Sequence, residues 1–306
     1  MGFLKNTAKA IVFSPAVFPL YNYFKHRKET AGLRTKLHAK TDLLADLPAQ
    51  KKQEWILRIA DVISCPDNAA ITRVADAGNF SRESLIMHNG IRIDPLSYYG
   101  APILKMLMEN GGVHEPQEEK IFDRVLQSLP PGKKTIIELG SYWSFYSMWF
   151  LKTFPGSQAY MLEPELRNLH SGKKNFRLNK LKGNFFHLGI GESANKEDRI
   201  TSPGIFCQQQ NINFIDVLHA DIQTYELAML NGSEKLLEEK KVGYWFISTH
   251  SNELHTQCKN MLAEYGYALV AEANLDESYS FDGILVMKDP AYPGIASVEI
   301  SKKRIV

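Results

Sequence analysis

The sequence predicts an α/β chain. Its centre is a seven-stranded, mostly parallel sheet with an antiparallel last pair and helices on both faces, preceded by an N-terminal helical and hairpin extension. Three observations carry this. Short β-branched or aromatic runs alternate with helix-period segments from residue 135 onward, the pattern of a parallel sheet covered on both sides. The first run, Thr135-Ile136-Ile137-Glu138-Leu139, breaks at Gly140 and opens directly into a helical segment. The last two apolar runs, 268–271 and 283–287, are joined by a loop with no helical period, so they are expected to be antiparallel neighbours.

The elements follow in order. Residues 10–24 are apolar and aromatic, with lysines and arginines on both sides. The run is shorter than the ~20 residues a span needs, and Pro15 and Pro19 interrupt it. It reads as an arm packed on the domain or on a second copy, with a peripheral membrane contact as the sharper alternative. Residues 26–46 are basic, then polar. Pro48 starts a helix whose apolar face is expected to hold Trp55, Ile56, Ile59, Val62 and Ile63. Asn89-Gly90 between two apolar triplets predicts a hairpin. A helix over 101–110 stops at Gly111-Gly112. The next begins at Glu115-Pro116, with Glu115, Glu118 and Glu119 placed to suit its N-terminal dipole. Strands are then expected at 135–139, 159–162, 185–190, 214–220 and 244–248, with helices between them, and residues 193–210 as an irregular excursion. The division is 1–46 as arm and linker, 47–113 as helical and hairpin extension, and 114–306 as the sheet domain.

Composition bounds the function. A net charge of +2 over 306 residues argues against extended nucleic-acid binding. Three scattered cysteines, Cys65, Cys207 and Cys258, suggest neither a disulfide framework nor a zinc site, which makes the cytoplasm the expected location.

The turn after the first strand is the candidate ligand site. Gly140 lets backbone approach a ligand, and the helix behind it presents unpaired N–H groups. Glu138 orients that loop or reaches a ligand's ammonium group. Glu163, about twenty positions past Gly140 at the end of the next strand, sits where an acid commonly accepts from ribose hydroxyls. A diphosphate site prefers G-x-G-x-x-G, but here Tyr142 and Trp143 fill the turn. One glycine and two acids suit a phosphate-free cofactor, so S-adenosyl-L-methionine on a Rossmann-like, class I methyltransferase sheet is favoured. A nicotinamide-dependent oxidoreductase and a non-catalytic adaptor are the alternatives.

Ile137-Glu138-Leu139-Gly140, Leu162-Glu163-Pro164 and the stretch from Leu218 through Asp221 to Glu226 resemble the FkbM-type S-adenosylmethionine-dependent methyltransferases, over residues 98–289. The resemblance implies that Glu138, Gly140 and Ser141 line the cofactor's methionine end, with Tyr142 and Ser144 in the same turn. It implies that Glu163, followed by Pro164, holds the ribose, and that Asp221 stands near the transferring methyl. Ser144 replaces a glycine, and Gln223-Thr224 replaces Glu-Gly. The implied reaction is O-methylation of a sugar, glycan or other small-molecule acceptor. Methyl transfer to a hydroxyl needs alignment and a proton acceptor, and Asp221 and His250 end successive strands where such groups converge. His219 reads as a core hydrogen-bonding residue. Asp221, His250, Glu253 and His255 match no recognised ligand spacing, so no metal is assigned.

Overall fold

The computed structural model describes residues 28–29, 31–33, 35–36, 42–81 and 84–303. The arm expected at 10–24 lies outside them. Among the described residues no helix is long and apolar enough to cross a membrane.

The sheet is built from β4 (Thr135–Leu139), β5 (Gln158–Leu162), β6 (Asn184–Phe186), β9 (Ile215–Ala220), β10 (Val242–Thr249), β11 (Ala268–Ala273) and β12 (Gly283–Lys288). Its order is β11-β12-β10-β9-β4-β5-β6. The run from β10 to β6 is parallel. β12 inserts antiparallel between β10 and β11. This is the expected Rossmann-like sheet, mostly parallel with an antiparallel last pair. The chain reverses direction across the sheet at β4, and that reversal opens a crevice at the carboxyl ends of the strands.

Alternation along each strand splits the core in two. Ile136, Met161, Val217 and Phe246 face one layer, formed by the helices that precede β6 in the chain. These are α1 (Ala49–Ser64), α2 (Ala101–Glu109), α3 (Pro116–Ser128), α4 (Phe145–Thr153) and α5 (Leu166–Leu178). Ile137, Leu139, Leu218 and Trp245 face the other layer, made by α6 (Pro203–Gln210), α7 (Glu226–Asn231), α8 (Glu234–Glu238) and α9 (Asn252–Glu264). β10 is buried at every position, as a strand covered on both faces must be.

Several sequence expectations are corrected. The stripe that α1 buries is Trp55, Arg58, Ile59 and Val62, at spacings of three and four, while Ile56 and Ile63 are exposed. The reason is Arg58: its guanidinium lies 3.8 Å over the Phe281 ring and 5.1 Å from the Trp55 centroid, so a cation takes part of the inward face. The third strand ends at Phe186. The segment after it forms β7 (Gly189–Ile190), which pairs in parallel with β8 (Ile200–Thr201) outside the main sheet. The excursion at 193–210 therefore contains β8 and α6. Ser202 caps α6 by accepting from the Ile205 N–H, with Pro203 at the first position. The loop before β12 spans residues 274–282 and carries polar groups to the strand ends. The hairpin appears as β2 (Ser84–Ile86) against β3 (Arg92–Ile93), with β1 (Phe80–Ser81) added.

Candidate active site

The turn after β4 is stapled to its neighbour. The N–H groups of Gly140 and Ser141 both donate to the Leu162 carbonyl, at 2.9 and 3.1 Å. Gly140 has φ +69°, and a Cβ placed there would lie 1.8 Å from the Asp221 carbonyl oxygen. Only glycine lets the tips of β4 and β9 approach this closely.

Glu138 is 3% exposed, and its Oε2 accepts the Ser147 N–H at 3.0 Å, which ties β4 to the first turn of α4. Of its two sequence roles, the loop-orienting one is what the geometry contains. Burial pushes its carboxyl up to about 7, against the charge of His219 and the hydrogen bond from the Ser147 N–H. The unfolded chain ionises this group near 4.5, so its contribution to stability is lost as pH rises from there through 7. Glu138→Gln keeps an acceptor for the Ser147 N–H and removes the buried charge. We expect it to raise the unfolding free energy at pH 8 by about 2 kcal/mol and to leave it nearly unchanged at pH 4. Urea unfolding at the two pH values tests this, and equal effects at both would count against it.

Glu163 sits at the tip of β5, 4% exposed. Its Oε2 accepts from the Tyr142 N–H at 3.0 Å, and its Oε1 accepts from the Glu165 N–H at 2.8 Å and from Asn168 at 3.5 Å. Burial raises its pKa, partly offset by these donors. The carboxylate expected at a ribose therefore braces the turn. Tyr142 packs edge-on to Tyr98 and Tyr99, while Trp143 is buried and stacks on Tyr98 at 4.5 Å. Ser144, at φ 59°, precedes α4. The buried hydroxyls of Ser141, Ser144 and Ser147 have no hydrogen-bond partner among the described residues.

Beside this turn lies a cavity of about 320 Å³, lined by Gly140, Pro164, Gly189, Ile190, Asp221 and Tyr225, among others. Leu188, Ile200 and Ile222 make its walls apolar, and Asp198 adds a carboxylate at the rim. The volume falls within the ~300–1,000 Å³ usual for small-molecule sites. Asp198 and Ile200 belong to the segment expected to be an excursion. Their signal was faint, because a two-residue strand leaves no periodicity to read.

A polar group adjoins the cavity at the ends of β9, β10 and β12. His250 Nε2 lies 3.3 Å from Asp221 Oδ1 and 3.4 Å from Asp282 Oδ1. Its Nδ1 lies 2.6 Å from Oε1 of the fully buried Glu226. Burial by itself would lower the imidazole's pKa, but the hydrogen-bonded carboxylates of Asp221 and Glu226, with Asp282 beside them, carry it up to about 10. Asp282 is pushed up to about 7 by burial, then by the charges of Glu115 and Asp221. The structure thus places Asp221 and His250 side by side and adds Asp282 and Glu226. His255 points elsewhere, to Thr249 at 2.9 Å and Glu272 at 3.2 Å.

The acids that open α3 are not solvated dipole partners. Glu118 and Glu119 are 4% and 0% exposed, and Glu115 is 9%. Glu118 Oε1 lies 2.6 Å from His219 Nε2, and Glu119 pairs with His114 at 2.5 Å and with His88 at 3.1 Å. Burial opposes ionisation of His114, yet Glu115 and Glu119 hold it up at about 10. These pairs lock α3 to the hairpin and to β9. His219 is the core hydrogen-bonding residue anticipated for it.

No family model matches this sequence, and no curated protein matches it. Among solved structures, the chain is similar to a ribosomal protein L11 methylase from Lactobacillus delbrueckii subsp. bulgaricus. The TM-score is 0.42 at 11% identity, over 69% of this chain and 90% of that one. It is similar to precorrin-6y C5,15-methyltransferase from Geobacter metallireducens, with TM-score 0.38 and 9% identity, over 56% of this chain and 86% of that one. A third is M. capricolum TrmK in complex with S-adenosyl-homocysteine, with TM-score 0.38 and 12% identity, over 59% and 70% of the two chains. Similarity of this order transfers no substrate and no residue role.

Proposed function

We propose that this chain transfers a methyl group from S-adenosyl-L-methionine to a hydroxyl oxygen of a small-molecule, sugar or glycan acceptor. The observation that carries the reading is Asp221: it lines the cavity beside the β4 turn and also belongs to the polar group at the strand ends. A donor in the cavity and an acceptor over the polar group would meet at that residue.

The cavity suits the cofactor. Its apolar walls at Leu188, Ile190, Ile200 and Ile222 would hold the adenine, and Asp198 at the rim would accept from ribose or amine donors. The unpartnered Ser141 hydroxyl at the turn offers a hydrogen bond to the methionine end. In this reading Glu163 shapes the turn and Asp198 takes the carboxylate role first assigned to it. When bound, the cofactor supplies a methyl carbon made electrophilic by its sulfonium sulfur. Asp221 and Asp282 would position the acceptor hydroxyl, and one of their carboxylates would take its proton as the new C–O bond forms and the C–S bond breaks. With no ion bound there, His250, held as a cation among three carboxylates, would fix their positions instead of acting as the base. The acceptor is taken as small rather than nucleic acid, consistent with the near-neutral charge, and the setting as cytoplasmic.

Calorimetry of the full chain with S-adenosyl-homocysteine tests the reading, with NAD as comparison. One saturable site for the former and none for the latter is expected. Binding of NAD alone would replace this reading with the oxidoreductase one.

A further inference from the structure

We propose that Asp221, His250 and Asp282 hold one divalent cation at the carboxyl edge of the sheet. The three residues come from three separate segments: just after β9, just after β10 and just before β12. One ligand atom from each lies within 4.8 Å of the others, in a partly open position.

The distances fit a shared ion better than direct hydrogen bonds. A charge-assisted N–H···O contact is typically ~2.7–2.9 Å. His250 Nε2 stands 3.3 and 3.4 Å from the two aspartate oxygens. Two ligands bound to one ion at ~2.1 Å, at octahedral to tetrahedral angles, sit ~3.0–3.4 Å apart.

The ring is oriented independently of the aspartates. Glu226 Oε1 faces His250 Nδ1 at 2.6 Å and is itself anchored by the Thr224 N–H at 3.1 Å. A carboxylate behind one ring nitrogen fixes the tautomer and turns the other nitrogen's lone pair forward, the usual support for a metal-ligating histidine. The Gln223 amide lies in front, its Nε2 2.8 Å from His250 Nε2 and 3.2 Å from Asp221 Oδ1, and would turn aside to admit the ion.

The charges agree. Three carboxylates, those of Asp221, Asp282 and Glu226, face the single imidazole of His250, while Glu115 nearby is paired with His114 at 3.0 Å. A dication among these carboxylates offsets their charge. One imidazole with two carboxylates suits Mn²⁺ or Zn²⁺ better than Mg²⁺ or Ca²⁺, which favour all-oxygen sites. The remaining positions would be taken by water or by acceptor oxygens. That last use rests on the methyl-transfer reading; the cation site does not.

The test is a titration of the chelator-treated full-length chain with Mn²⁺ alone, read by calorimetry and electron paramagnetic resonance. One Mn²⁺ per chain is expected. Asp282→Asn and His250→Ala should each weaken it at least about tenfold, and Glu226→Gln, which touches only the back of the ring, by about 10–100-fold. Glu253→Gln, an acid outside the trio, should leave it unchanged. Absence of stoichiometric Mn²⁺ binding, or affinity unaltered in both Asp282→Asn and His250→Ala, overturns the proposal. A thermal melt of each variant reports folding, and each is also titrated with S-adenosyl-homocysteine. Mn²⁺ binding without cofactor binding would sink the methyl-transfer reading and leave the cation site standing; the reverse result would do the opposite.

Discussion

Gly140→Ala is expected to destabilise the chain by about 2–5 kcal/mol and to weaken S-adenosyl-homocysteine binding by at least about tenfold. Two costs add. A non-glycine residue in the left-handed region costs ~1–2 kcal/mol, and Gly140 sits at φ +69°. Overpacking a filled site adds typically ~1–3 kcal/mol, and here the new methyl would lie 1.8 Å from a backbone oxygen, that of Asp221. A backbone atom cannot rotate aside, so the tips of β4 and β9 must part. That moves Asp221, the residue shared by cavity and polar group. In a chain of this size the melting temperature should fall by about 5–15 °C. A thermal melt paired with calorimetry measures both effects. An alanine variant with wild-type melting and binding would mean that the close approach at this turn is not what positions the site.

Gly189→Phe should separate binding from folding. A Cβ at Gly189 meets only ordinary contacts, Pro164 at 3.6 Å and Ile200 at 3.8 Å, and the position carries no left-handed strain. Both neighbours line the cavity, so the ring has space in it and nowhere else close by. The Gly189 N–H keeps its bond to the Arg199 carbonyl at 2.8 Å. The expected result is an S-adenosyl-homocysteine affinity about 100-fold weaker, ~2.7 kcal/mol, with melting within about 2 °C of wild type. Unchanged affinity would show that the cofactor lies outside this cavity, and attention would move to the space beside Tyr142 and Arg167 on the other side of the turn.

The two variants also mark where sequence reasoning reached and where it stopped. Thr135 to Gly140 could be read because a β-branched run, a glycine and a helical period stand side by side in the chain. The antiparallel last pair could be read because its connection has no helical period. Asp221 and His250 were found for the same local reason: each stands directly after a strand-like run, and strands of a parallel sheet end at one edge. Asp282 was not found, because it precedes its strand and only the antiparallel direction of β12 brings it to that edge. Glu115, Glu118 and Glu119 looked like solvated helix-start acids; their histidine partners are distant in sequence, at His219 and His88, or in the loop before the helix, at His114.

By itself, then, the sequence determined the strands, their likeness to a Rossmann-like sheet, the glycine turn and two of the polar groups at its edge, since hydrophobic period and turn chemistry are properties of neighbours along the chain. Tertiary structure alone decided that Glu163 braces the turn, that Asp198 reaches the cavity rim, and that His250 sits among three carboxylates. Those are distances between segments that the chain's local energetics do not encode; they exist only once two apolar layers close on the sheet and force its strand ends together.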